Sequence, residues 1–141
     1  MKFIPKNATN DEIENALYTW LVSICSDNPN VIIQDESLLE SEINGSFTQM
    51  FIETLKSLKV KKVTLLTSKA DEKLLKQIKV QTNVDFEVRK MKTTQDSVWI
   101  SLGGKAFALN RMMREVFAGD ETMIRYLTTD EMLEIMTKAS F

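Results

Sequence analysis

The chain has 141 residues, 43% of them hydrophobic and 27% charged, with a formal net charge of −2, four glycines and two prolines. That length and composition fit one folded domain that buries roughly two-thirds of its unfolded surface, and they argue against disorder and long linkers. The chain contains no histidine and one cysteine, which excludes His-based acid–base catalysis, Ser-His and Cys-His nucleophiles, an intrachain disulfide framework and a cysteine zinc cluster.

The small net charge hides a strong polarity along the chain. Between Asn7 and Thr54 there are nine carboxylates (Asp11, Glu12, Glu14, Asp27, Asp35, Glu36, Glu40, Glu42, Glu53) and no Lys or Arg. From Lys56 to Lys92 eleven basic residues face Asp71, Glu72, Asp85 and Glu87, a surplus of seven. Blocks of this kind either complement each other inside a fold or offer opposite faces to partners.

In chain order, the N-terminus MKFIPKNATN has no apolar signal core, and no run of eighteen apolar residues follows it, so a cytoplasmic protein without membrane contact is expected. Thr9 and Glu12 form a capping box that opens a helix with Ile13, Leu17, Trp20, Leu21 and Ile24 at helical spacing. Cys25 falls in that apolar stretch and is expected to be an inert core thiol. Asn30 to Gln34 is a short β-branched run. Ser46 and Gln49 mark a second helix that buries Phe47, Met50, Phe51, Leu55 and Leu58. Val60 to Thr67 is apolar enough for an interior strand. Ser68 to Asp71 is a weaker box ahead of a third helix with Leu74, Leu75 and Ile78 inward. Val84, Phe86 and Val88 alternate with charged residues, as in a half-buried strand. Val98, Ile100 and Leu102 repeat that period before the turn at Gly103-Gly104. Residues 105 to 118 stay open: Phe107 and Leu109 alternate like a strand, while Met112, Met113, Val116 and Phe117 are spaced like a helix. Met123 to Leu127 suits a short strand, and Thr128 with Glu131 caps a last helix.

Helices alternating with strands predict an α/β fold in a single domain, with a mixed, mostly parallel sheet flanked by about four helices. Residues 1–40 are expected to form an acidic helical element packed on an α/β body of residues 41–141.

The candidate binding groups follow from charge and turn chemistry. Lys59, Lys61, Lys62, Lys69, Lys73 and Lys76 could meet phosphates, yet no aromatic residues interleave with them, so nucleic acid is possible and not favoured. Asp35, Glu36, Glu40 and Glu42 could dock a basic partner; their spacing matches no metal loop. Gly103, Gly104 and Lys105 follow a strand, where a turn could contact phosphate, but they lack the spacing of a P-loop or dinucleotide motif. No catalytic motif and no cofactor signature is present.

The stretch Lys90–Asn110, KMKTTQDSVWISLGGKAFALN, resembles the late part of phospholipase D-like domains. Gln95-Asp96-Ser97 occupies the place of a His-Asp-Arg lead-in, Val98–Ile100 that of an apolar strand, and Ser101–Lys105 that of a Gly/Ser-Leu turn followed by Lys. The order of elements over residues 43–141 is similar too. The resemblance implies a domain without phosphodiesterase activity, because active members use histidine as nucleophile and Gln95 cannot serve. It further implies an anion-receptive pocket built from Gln95, Asp96, Ser97, Gly103, Gly104 and Lys105. Two functions are therefore expected as alternatives. One is a non-catalytic, phospholipase D-like binding or regulatory module for a protein or phosphate-bearing partner. The other is a small acidic inhibitor, immunity or anti-defence protein that covers a basic partner site. Self-association is compatible with both.

Overall fold

The computed structural model describes residues 2–25, 30–39, 45–92 and 96–139, with the side chains of residues 45–47 excepted. It is an α/β fold built on one mixed sheet of seven strands with five helices. The first strand β1 (Lys2–Ile4) leads into α1 (Asn10–Cys25), β2 (Asn30–Gln34), α2 (Gly45–Ser57), β3 (Lys62–Thr67), α3 (Glu72–Thr82) and β4 (Asp85–Lys90). The hairpin β5 (Ser97–Ser101) and β6 (Lys105–Leu109) follows, then α4 (Met113–Phe117), β7 (Thr122–Tyr126) and α5 (Thr129–Lys138).

The strand order is β1-β7-β6-β5-β2-β3-β4. Only β2–β3 and β3–β4 are parallel, joined through α2 and α3, because a parallel neighbour requires a crossover. The pairs β1–β7, β7–β6, β6–β5 and β5–β2 are antiparallel. The sheet is thus mixed as expected, but antiparallel pairing outweighs parallel. The difference arises in residues 97–126, which run as an antiparallel meander, with a short turn between β5 and β6 and the helix α4 between β6 and β7, rather than as crossover units.

The boundary expected at residue 40 does not separate two layers. β2 is the seam of the sheet, parallel to β3 on one side and antiparallel to β5 on the other, and β1 supplies the opposite edge. The open stretch 105–118 holds both candidate elements in succession, β6 and then α4.

Alternation sorts the sheet into two faces. Val31, Ile33, Val63, Leu65, Phe86, Trp99, Phe107 and Ile124 pack with α1, α2, α3 and α4 in the larger core. Ile32, Leu66, Val98, Ile100, Ala106 and Ala108 point the other way, onto Met132 and Ala139 of the α5 segment. Trp99 anchors the larger core, stacked on Phe107 at 5.9 Å and edge-on to Phe51 at 5.9 Å.

Two predicted caps form as expected. The Glu12 amide donates to Thr9 Oγ1 while Glu12 Oε1 accepts from the Thr9 amide, and Thr128 and Glu131 do the same at α5. The third helix departs from expectation. Its cap is Asp71 itself, which accepts from the Lys73 and Leu74 amides, because Asp caps as well as Ser and sits one residue before the helix. The Ser46 side chain lies outside the described residues.

Candidate functional site

The residues expected to form an anion pocket are not brought together. Register pairs Ser97 with Leu109 and Ser101 with Lys105, so Asp96 and Ser97 sit at one end of the hairpin and Gly103, Gly104 and Lys105 at the other. At about 3.4 Å per residue, the length of β5 puts roughly 13 Å between the two groups. Gly104 holds φ +99 with open space around it, which is what a three-residue hairpin loop with one left-handed position requires. Gln95 lies outside the described residues.

Ser97 is fully buried and accepts from Trp99 Nε1 at 2.9 Å. Its hydroxyl also hydrogen-bonds to Asp35.

Asp35, expected on a partner-facing surface, has no exposed area. Its Oδ1 accepts from the Ser37 amide and the Ser37 hydroxyl, each at 2.7 Å, and its Oδ2 accepts from the Met113 amide at 3.0 Å. Ser37 Oγ in turn accepts from the Arg114 amide at 2.9 Å. Asp35 therefore ties the end of β2 to the start of α4, satisfying amides that a short helix leaves without partners. Burial pushes its carboxyl above the ordinary range, against the opposing pull of the Ser97, Ser37 and Met113 hydrogen bonds. Glu36 is half-buried and accepts from the Ser68 amide and hydroxyl. Both carboxylates thus hold the chain to itself. Glu40 and Glu42 lie outside the described residues.

The six lysines do not share one patch. Lys59, Lys61 and Lys62 precede or open β3, and Lys69 follows it, so the strand separates them by roughly 20 Å. Lys62 pairs with Glu87 at 3.5 Å. Lys59 has φ 54 and closes α2: its amide donates to the Lys56 carbonyl and the Val60 amide to the Leu55 carbonyl, a Schellman ending. Lys73 and Lys76 are exposed on α3.

A polar recess lies elsewhere, in a groove of about 500 Å³ between α1 and α2. Glu14, Asn15 and Tyr18 line it from α1, and Gln49, Met50, Glu53, Thr54 and Ser57 from α2. Helical spacing explains the α1 wall, since Glu14 and Tyr18 stand four residues apart on one face while Ile13, Leu17 and Leu21 turn to the core. Gln49 Nε2 donates to Glu53 Oε1 at 3.1 Å. Glu14 Oε1 is buried and has no hydrogen-bond partner among the described residues. Burial raises the Glu14 carboxyl above its ordinary value, and the charges of Asp11 and Glu53 add to that rise. No Lys or Arg is among the described residues that line the groove. The recess is therefore acidic, with one buried carboxylate oxygen on its α1 wall.

The charge block pointed to this region, but it did not single out Glu14, Tyr18 and Glu53, because which helices become neighbours is set by the sheet. A second, smaller recess of about 240 Å³ between the hairpin turn and α5 is apolar, with Ile100, Leu102, Met132, Leu133 and Met136 on its walls. Cys25 is buried, and burial pushes its thiol up to about 11. No cluster of metal-ligating side chains occurs among the described residues. None of their helices is long and apolar enough to cross a membrane.

Comparison with protein-family models and with curated proteins finds no match. Among solved structures, the chain is similar to an archaeal chromatin protein, TrmBL2, whose structure is described as showing a novel mode of DNA binding. The two are 13% identical with a TM-score of 0.49, over 97% of this chain and 49% of that one. The chain thus spans about half the length of that protein.

Proposed function

We propose that this protein is a non-catalytic α/β binding module that holds a basic segment of a protein partner in the groove between α1 and α2. The observation that carries this reading is the buried Glu14 Oε1, which has no hydrogen-bond partner among the described residues and feels the charges of Asp11 and Glu53. An incoming ammonium or guanidinium would satisfy that oxygen and relieve the crowding of like charges. The Tyr18 ring, 43% exposed on the same wall, offers a face for the cation or its aliphatic stem. This is the acidic-interaction alternative, moved from Asp35 and Glu36 to Glu14 and Glu53. The phosphate-bearing alternative is not preferred, because its residues lie at opposite ends of a hairpin. We retain the phospholipase D-like kinship as part of the proposal; the order α2-β3-α3-β4 followed by the β5–β6 hairpin supports it.

Titration calorimetry with a Lys/Arg-rich peptide, and with an uncharged peptide of equal length, tests the reading. The basic peptide should bind in a salt-sensitive manner. Glu14→Gln with Glu53→Gln should weaken that binding about tenfold, the equivalent of one charge-assisted hydrogen bond. Equal affinity of wild type and the double variant would rule out this groove.

A further inference from the structure

We infer that the basic strip of α3 in a second copy of this chain occupies the groove, so that the protein self-associates through its helical layer. This rests on the cationic-segment reading of the groove given above. It goes further by naming the segment.

The geometry is self-complementary. α1, α2 and α3 all pack on one face of the sheet, with α2 touching both of the others. The groove and the outer face of α3 therefore look in the same direction, about one or two helix spacings of roughly 10 Å apart. A two-fold related copy could then place its α3 on this groove while its own groove receives this chain's α3, which is the condition for a closed, isologous contact.

The chemistry matches along the same strip. Lys73 and Lys76 are exposed at three-residue spacing, and Val80, one turn beyond Lys76, is 77% exposed. Val80 is thus an apolar side chain open to contact on an otherwise polar helix face. The groove presents the counterpart of each feature: Glu14 and Glu53 for the two ammonium groups, and Tyr18 and Met50 for the valine. The neighbouring Val22, 36% exposed on α1, extends the apolar part.

Charge exchange tests the proposal. Wild type at high micromolar concentration should sediment as a dimer at about 0.1 M salt and as a monomer at about 1 M, where the screening length has shrunk to about 3 Å. Glu14→Lys with Glu53→Lys should be monomeric, and so should Lys73→Glu with Lys76→Glu. An equimolar mixture of the two variants should regain a species of twice the monomer mass. All four positions lie at or near the surface, and circular dichroism reports whether each variant is folded. Failure of the mixture to re-associate would overturn the proposal, as would a wild type that stays monomeric at low salt. If wild type is monomeric yet binds the basic peptide, and Glu14→Lys with Glu53→Lys loses that binding, the groove reading stands and self-association alone falls. If the mixture re-associates while the basic peptide does not bind, the groove is reserved for its own α3 and the partner reading falls instead.

Discussion

Asp35 joins the end of β2, the Ser97 hydroxyl and the start of α4 from a position without solvent contact. Its removal would strand the Ser37 and Met113 amides in the interior, each at about 1–3 kcal/mol. Asp35→Ala is therefore expected to lower stability by about 3 kcal/mol, read from the urea midpoint at unchanged m-value. Lys59 makes the opposite case. It carries a side chain at φ 54, where glycine avoids the clash of Cβ with the backbone. Lys59→Gly is expected to raise stability by about 0.5–1 kcal/mol in the same measurement. Two residues that the charge pattern groups with partner-facing neighbours thus turn out to serve the backbone. Nothing in their sequence neighbourhood reports the amide that Asp35 meets 78 residues away.

At the scale of elements, α5 is fastened across the second face of the sheet by its ends. Arg125 donates Nη1 to Glu131 Oε1 at 3.0 Å and Nη2 to Oε2 at 2.6 Å in the first turn, and Arg89 Nη1 donates to the Ala139 carbonyl at the far end. Both arginines project from strands on the face opposite the larger core, and the second suits the negative end of the helix dipole. The Arg125 hydrogen bonds hold the Glu131 carboxyl at about 2, against an ordinary 4.5. A carboxyl lowered in the folded state stabilises fully above its unfolded value, and that stabilisation fades as pH falls through the folded one. Wild type should therefore lose more thermal stability between about pH 5 and about pH 2 than Glu131→Gln does. Parallel acid limbs of melting temperature against pH would contradict this. The capping box that positions Glu131 was legible as Thr128 followed by Glu131; its arginine partner was not, since Arg125 reaches it only because β7 runs alongside.

Across the whole molecule, β2 matters more than its five residues suggest, because it alone joins the parallel strands to the antiparallel meander. A chain reduced to residues 41–141 would leave β3 and β5 without their shared neighbour and would lose the α1 packing around Ile13, Leu17 and Trp20. Such a chain is expected to show no cooperative thermal transition by circular dichroism. A cooperative melt would mean that the remaining strands close the gap by themselves. The same seam explains why the acidic N-terminal block does not stand apart as a layer: α1 is carried between two strands of one sheet and comes to rest beside α2, where the groove forms.

The helix starts at Thr9 and Thr128, the period-2 strands and the exclusion of histidine chemistry are legible along the chain. These depend on neighbours within one turn or one strand, and local spacing records them. The separation of acidic from basic residues is equally legible, and with it the sign of any groove built from the first helices. That Asp35 is buried, that Lys105 and Asp96 are a strand apart, and that Glu14 meets Glu53 across a helix pair follow from how the strands and helices assemble. Those relations join residues brought together by strand order, and strand order follows from which apolar faces can be buried at once rather than from any short motif.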